Sequence, residues 1–455
     1  MNQNNISAAE LFQRVRELLM LPELEPQTRN KMMHDTLILC CHEGVKDTKQ
    51  AFGNLFSQVD YLCKARGIKV ADKIAIQTMR RHSNSQEPLS GEDLKYDARA
   101  LALFISAVFG VDVPHELNVL IPHTPRPYQK GLEINNRRIR CIVKNWDGDF
   151  IRVDIDQDAD EEEYLVQLKD EENHIDHTYL WDILKEGIQL NLLDCQVKQP
   201  IITPRLIVVE PDYLVDISSI ATCFTAFGHH PLLYLLNLMK PRANTQATLL
   251  GNFAGAALDD IINSHGKYQM NETVKTNFRE KALEFCTCPW FDPKKFYTDA
   301  SLQAFNLQQV VDILFPRTAS QAQMSAFRGE SLYDRKKAIL EPSFVCEALG
   351  IQGRVDLMTT DCKLLVEQKS GRNMNIETHQ VDPGYHSYQL EPHYVQLLLY
   401  YGVLQHNFKL SNDRVNIRLL YSKYRPQDGL MVVAYYQKLF KEAIQYRNQL
   451  VAASF

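Results

Sequence analysis

Asp356, Glu367 and Lys369 are the residues of this chain whose types and spacing suit chemistry. The chain reads Gly353-Arg354-Val355-Asp356-Leu357-Met358, then a polar turn Thr359-Thr360-Asp361-Cys362, then Lys363-Leu364-Leu365-Val366-Glu367-Gln368-Lys369-Ser370-Gly371. Both flanks are short, apolar and branched, which predicts the two strands of a hairpin. Side chains alternate across a strand, so Leu365, Glu367 and Lys369 share one face, and Val366 and Gln368 the other. A fold about Thr360-Asp361 sets Asp356 opposite Leu365 or Val366, within roughly 5–8 Å of Glu367 at Cβ. Two carboxylates and a lysine on an apolar ribbon are costly to desolvate unless something pairs them. A divalent cation would. Mg²⁺ suits a site with few carboxylates and several waters, and the Gln368 carbonyl is a candidate third ligand. A cation so held lowers the pKa of a bound water and clamps a phosphate. Lys369 is placed to orient that water or to stabilise developing negative charge. This is the chemistry of phosphodiester hydrolysis. The plainer alternative is a salt-bridged surface hairpin.

A second pair of residues bears on that choice. Gln396 and Tyr400 are four apart on a predicted helix that opens at Pro392, so they project from one face, while Val395, Leu398 and Leu399 occupy the others. A Gln and a Tyr on one stripe can bond a phosphate or the lysine. A core tyrosine with a satisfied glutamine is the alternative. The connecting stretch, residues 372–391, is rich in His, Gly and Pro, and a loop of that length beside a candidate site is more often functional than not.

The elements that must position these residues divide into three regions. Residues 1–115 read as a helical accessory domain. Ser7-Ala8-Ala9-Glu10 resembles a capping box, with Leu11, Val15, Leu18 and Leu19 following at helical spacing. A helical stretch covers residues 27–80, and Ser90 opens another helix that runs to Gly110. Residues 125–215 alternate polar and apolar positions, and Asp147-Gly148 between two such runs predicts a hairpin. Together they suggest a small β-barrel or β-rich insert, with an oligonucleotide-binding barrel as the candidate type. Its acidic run, Asp154, Asp156, Asp158, Asp160 and onward, lacks the Gly and Glu of a calcium loop and reads as a solvated acidic loop. Residues 216–455 are mostly helical, including an amphipathic helix over 245–263, and they carry the hairpin, a later strand at 415–421 and a final helix from about 432 to 450.

Totals narrow the classes. A net charge of −6 in 455 residues gives no global pull toward nucleic acid, so any such contact must be a local basic patch. Ten cysteines without disulfide or zinc spacing read as buried thiols of a reducing compartment. Charged residues interrupt the first twenty, and the most apolar run, residues 100–111, is too short to span a bilayer. The expectation is a soluble cytoplasmic protein with no membrane partner. No Gly-x4-Gly-Lys-[Ser/Thr] loop occurs, so no ATP site is expected in this chain.

The order of apolar helix, Gly-Arg-Val-Asp strand, Glu-Gln-Lys strand and Gln-x3-Tyr helix resembles the PD-(D/E)xK nuclease core of the RecB-like branch. It is most similar to the nuclease half of replication and repair nuclease–helicases. The segment Val208-Val209-Glu210-Pro211-Asp212-Tyr213-Leu214-Val215-Asp216-Ile217-Ser218 resembles the lead-in to that domain. The likeness spans residues 130–450 and is strongest over 341–400. It implies an α/β fold, a restriction-endonuclease-like mixed sheet flanked by helices, preceded by the barrel-like segment and the helical module. It further implies that Asp356 and Glu367 hold Mg²⁺ or Mn²⁺, that Lys369 is the catalytic lysine, and that Gln396 and Tyr400 form the helix motif. Glu341, in Leu340-Glu341-Pro342-Ser343, stands where an upstream acid often sits. Two departures mark this chain. Gly255 holds the place of a histidine ligand; Asp259, one turn on, could substitute for it, although a solvent-facing Asp is the stronger expectation. No cysteine follows Cys362, so the iron–sulfur cluster of many relatives is not expected.

The resulting expectation is a metal-dependent deoxyribonuclease acting on single-stranded or flapped DNA ends in replication or repair. A helicase would act with it in cis or in trans. Candidate phosphate ligands are Arg354, Arg372, Lys423 and Arg425, and Tyr385, Tyr388 and Tyr394 are candidate stacking partners. Two rivals stand beside it: a non-catalytic nucleic-acid-binding or docking protein on a decayed nuclease core, and a defence endonuclease with an N-terminal specificity module.

Overall fold

A computed structural model describes residues 6–454 except 51, 53, 85–87, 127–136, 157–162, 242–243, 382–386 and 411–414. The chain is a mixed α/β protein that divides into two compact units, residues 1–213 with 452–455, and residues 214–451.

The first unit holds two clusters of apolar residues. In the N-terminal half, Ser7 caps helix Ala8–Leu19 with the full reciprocal capping box. Helix Gly91–Phe109 opens on Ser90 and stops at Gly110, whose left-handed φ of 68° is the usual helix terminator. These helices and Pro26–Val45 bury Leu11, Val15, Leu37, Leu101 and Ile105 in one core. The second half is a seven-stranded sheet whose longest strand, Arg138–Asp147, pairs with Phe150–Ile155 on one side and Gln189–Leu193 on the other. Its strand order runs as a single series, and barrel closure is not among its described pairings. Asp154 and Asp156 are not free acids of a loop. Lys144 pairs with Asp154 at 2.5 Å and Arg80 with Asp156 at 2.5 Å. The rest of that acidic run lies outside the described residues.

The second unit carries the hairpin. Its elements are β1 (Val215–Asp216), α1 (Gln246–Asn263), α2 (Pro293–Leu314), β2 (Ala338–Leu340), β3 (Ser343–Cys346), β4 (Ile351–Arg354), β5 (Leu357–Thr359), β6 (Leu364–Lys369), α3 (Glu391–Phe408), β7 (Asn416–Tyr421), β8 (Leu430–Val432) and α4 (Gln437–Ser454), with shorter helices between them. One sheet has the order β2-β5-β6-β7-β8, with β6 and β7 parallel and the other neighbours antiparallel. A smaller sheet joins β1, β4 and β3. The central strand β6 is buried from Leu364 to Gln368, as a strand covered on both faces must be. α1 and α2 pack Phe253, Ala257, Phe296 and Leu307 into the same core as Leu364, Val366 and Leu420.

Three expectations change here. The stretch 353–358 is not one strand but the end of β4 and the start of β5, in two different sheets. Val432 closes β8, and the last helix begins only at Gln437. The loop after β6 contains a short helix, Met374–Thr378. The ten cysteines are unbridged, and all but Cys286 and Cys362 are buried. Among the described residues, no helix is long and apolar enough to cross a membrane.

Candidate active site

The site is built on a bend. One register runs through β2–β5 and β3–β4, with Leu340 facing Leu357 and Ser343 facing Arg354. The two pairs are therefore a single long hairpin interrupted at one level, where Glu341 stands opposite Asp356. There the Glu341 N–H donates to the Asp356 carbonyl at 2.9 Å, and the Val355 N–H to the Pro342 carbonyl at 3.2 Å. Pro342 has no N–H to give the ladder, and Glu341 adopts a left-handed φ of 47°. The ribbon bends at that point and the chain passes from one sheet to the other.

On the other side, Leu357 faces Val366 and Met358 faces Leu365. Continuing that register by one residue sets Asp356 opposite Glu367, not opposite Leu365 or Val366. The turn, residues 360–363, lies one residue later than expected. The Cys362 N–H closes it on the Thr359 carbonyl at 2.8 Å, and Cys362 itself takes a left-handed φ of 54° before the strand resumes. Glu341, Asp356 and Glu367 thus form a row of acids across three strands. The bend also leaves the Gln368 N–H without a β5 carbonyl, and it donates to Asp356 Oδ2 at 2.6 Å. The Gln368 carbonyl projects toward the same edge, since the two polar groups of a strand residue point together.

Glu367 is 2% exposed, so the surface salt-bridge alternative does not describe it. Lys369 Nζ donates to Glu367 Oε1 at 2.7 Å and to Gln396 Oε1 at 2.9 Å. Glu367 Oε2 is buried and has no hydrogen-bond partner among the described residues. Burial first, then the Asp356 charge, pushes the Glu367 carboxyl up to about 8, against the pull of Lys369 and, more weakly, of the Asp356 backbone N–H. Asp356 is also raised, chiefly by burial, although the Gln368 N–H and Lys369 oppose it. Two desolvated carboxylates face one another with one oxygen left unsatisfied, an arrangement costly for the bare protein. The donor set of Asp356, Glu367 and the Gln368 carbonyl edge fits a divalent cation with room for water ligands.

α3 supplies the facing side chains. Gln396 reaches Lys369, while Tyr400 is 3% exposed and donates to the Arg354 carbonyl at 2.5 Å. Tyr400 therefore holds the end of β4, two residues before Asp356, and does not reach the lysine. It lies against Gly353, where a Cβ would sit 2.9 Å from the Tyr400 ring. His393, one turn before Gln396, bonds the Tyr421 hydroxyl through Nδ1 at 2.9 Å. Burial and then the nearby Lys369 press His393 down to about 4, so it stays neutral. Its spacing from Gln396 was a readable signal that the helix stripe extends back by three residues.

Asp259 departs from the stronger of its two expectations. It is half-buried and does not simply face solvent. Burial first, then the charges of Glu341 and Asp356, push its carboxyl up to about 7. Gly251, Gly255 and Asp259 recur at four-residue spacing along one face of α1. A Cβ at Gly251 would lie 3.2 Å from Ser370 Oγ, and one at Gly255 would meet nothing within 4 Å. The helix therefore presents backbone, open space and then an acid toward the end of β6.

The outer candidates divide. Arg354 pairs with Glu341 at 2.9 Å and stays exposed. Arg372 donates to Glu377 at 2.9 Å, and Lys423 lies 3.5 Å from the same carboxylate. Arg425 is exposed. Tyr394 is buried with its hydroxyl on the Ala434 carbonyl at 2.5 Å, so it cannot stack on a base. Tyr388 is half-buried, and Tyr385 lies outside the described residues. No protein-family model matches this chain, and no curated protein matches it.

Proposed function

We propose that the unit of residues 214–451 is a metal-dependent nuclease, of the PD-(D/E)xK type in its RecB-like branch, that hydrolyses phosphodiester bonds of single-stranded or flapped DNA ends. The observation that carries the reading is Glu367, a carboxylate only 2% exposed whose Oε1 is held by Lys369 while Oε2 has no close hydrogen-bond partner among the described residues. A structural salt bridge would satisfy both oxygens; an oxygen left open beside Asp356 suits a cation. Asp356 and Glu367 would hold that cation, which supplies an activated water and neutralises charge at the phosphate.

The chain's own groups do the rest. Gln396 and Glu367 fix the Lys369 ammonium from two sides, so its remaining proton is aimed and needs no reorganisation when a phosphoryl oxygen gains charge. The Gln368 N–H holds the Asp356 carboxylate in one rotamer. Tyr400 clamps the Arg354 carbonyl and so fixes the bend on which Asp356 sits. Mg²⁺ or Mn²⁺ is the metal class, and DNA repair or replication, with a helicase in cis or in trans, is the setting that the resemblance implies.

The test is incubation of the full chain with end-labelled single-stranded, flapped and blunt DNA, with Mn²⁺ or with EDTA. Cleavage should require metal and fall by two orders of magnitude or more in Lys369→Ala, the usual scale for a lost electrostatic group. Cleavage that survives both EDTA and the substitution sinks the proposal. The second reading, a binding protein on a decayed core, draws on the open space at Gly255. Calorimetry with Mn²⁺ separates the two: heat that vanishes in Asp356→Asn supports the nuclease, and absence of any binding supports the rival.

A further inference from the structure

A cavity of about 480 Å³ opens beside the end of β6 and is lined in part by Ser370 and Gly371, the residues that follow Lys369. That volume is within the range of ligand sites, about 300–1,000 Å³. We infer that this cavity is a subsite for a single-stranded nucleic-acid segment, with one base on the Trp290 indole and the adjoining phosphates on Lys295, Arg372 and Lys423. The inference rests on the phosphodiesterase reading and deepens it, because it names how the strand is held as it enters the site.

Four observations carry it. Trp290 lines the cavity, is 99% exposed and has a left-handed φ of 59°. A bulky residue in that backbone region is an outlier, and leaving an indole wholly in water wastes its apolar area, so both features need a reason. Leu250 and Leu302 give the cavity an apolar wall against which the other face of a base can lie. Lys295, Arg372 and Lys423 line it beside Asp292 and Asp299, and since Glu377 already pairs with Arg372 and Lys423, Lys295 is the lining cation that stands apart from that ion pair. Asp292 is already engaged, its Oδ1 capping α2 through the Lys294 and Lys295 N–H groups at 3.0 and 3.1 Å. Lys295 has no ion-pair partner among the described residues, so its charge is open to a phosphate.

The cavity is also mechanically part of the site. Gln303, buried in its floor, donates to the Ser370 carbonyl at 3.1 Å and accepts from Ser422 Oγ at 2.6 Å. Ser422 in turn accepts from the Gln368 side chain at 2.8 Å. One network thus holds the cavity floor and the strand that carries Glu367 and Lys369. Base–aromatic stacking is tolerant of sequence, and a groove of this kind suits a single strand over a duplex, whose bases are not free to stack.

The experiment is fluorescence anisotropy with labelled oligothymidylate and the full chain in EDTA, where no cleavage interferes. Trp290→Leu should weaken binding by roughly 5- to 100-fold, the span of single stacking contacts. Lys295→Ala should weaken it and reduce the slope of log affinity against log salt by about 0.7. A blunt duplex should bind with no dependence on Trp290. Lys295 lies on an exposed helix face, so its variant keeps the test should Trp290→Leu fold poorly. Unchanged affinity in both folded variants overturns the subsite. If the wild-type chain cuts no DNA with Mn²⁺ yet binds through Trp290, the nuclease reading fails and the subsite stands. If it cuts through Lys369 and ignores Trp290 and Lys295, the subsite alone fails.

Discussion

Gly353 has no side chain because Tyr400 occupies the space. A Cβ there would come within 2.9 Å of the ring, 3.1 Å of the hydroxyl and 3.2 Å of Ile217 Cδ1. None of these can retreat cheaply, since the ring is buried and its hydroxyl is fixed on the Arg354 carbonyl. Gly353→Ala should therefore tilt Tyr400 off that carbonyl and shift the bend bearing Asp356. On the nuclease reading, kcat falls about 10- to 100-fold, the penalty of a displacement near 1 Å. Tyr400→Phe, which keeps the ring and loses one bond, should cost less. Single-turnover cleavage by both variants checks this, and equal rates for Gly353→Ala and wild type would refute it. At this scale the sequence was informative where chemistry follows a local period. Alternation puts Glu367 and Lys369 on one face, helical spacing puts Gln396 and Tyr400 on one stripe, and Lys369 meets Gln396 as that implies. The burial of Asp259 is not legible because its surroundings come from Glu341 and Asp356, about 80 to 100 positions away, which no local period encodes.

The helices were the most legible elements, because their ends are written in single residues: Ser7, Ser90, Gly110 and Thr245 all sit at observed caps. The bent hairpin was not legible. A proline beside an acid reads as a loop, and only cross-strand register reveals that the strand resumes beyond it. Packing between helices was equally hidden. α3 and α4 meet where Gly402 faces Phe440, and a Cβ at Gly402 would lie 2.8 Å from Phe440 Cζ and closer still to its neighbour. Both residues are buried, so the interface has little slack. Gly402→Ala gains helix propensity worth about 1 kcal/mol but forces an overlap whose cost is about 1–3 kcal/mol. The expected outcome is net destabilisation of up to about 2 kcal/mol, relieved by Phe440→Leu in the double variant. Chemical denaturation of the two single variants and the double variant measures it. A stabilised Gly402→Ala would mean that the helices separate freely.

For the molecule as a whole, the acids of the site and one histidine make stability depend on pH in the same direction. Between pH 4.5 and 8 the folded chain keeps a proton at Glu367 that the unfolded chain has released, so stability falls as pH rises through that window. The limiting slope is about 1.4 kcal/mol per pH unit for one group. Asp259, raised to about 7, adds to the fall up to that pH. His229 acts alike. Its ring lies between Glu391 at 2.7 Å and Glu442 at 2.8 Å, and although burial alone would lower its pKa, these two carboxylates raise it on balance. That contribution is whole below pH 6.5 and is lost as pH rises through the folded value. His393 opposes them only at lower pH. Held down to about 4, it favours the folded state increasingly from pH 4 to 6.5 and is constant above. The clean window is therefore pH 6.5 to 8.5. In EDTA the melting temperature should drop steadily across it. Glu367→Gln should flatten the drop and raise the metal-free melting temperature at pH 8, because it keeps the shape and removes the buried charge. Mn²⁺ should flatten it in the wild type and have little effect on Glu367→Gln. Differential scanning calorimetry at three pH values, with and without metal, decides the matter. A fall of equal steepness in Glu367→Gln would mean that the buried carboxylate is not what the folded chain struggles to ionise, and the reason for placing a cation there would go with it.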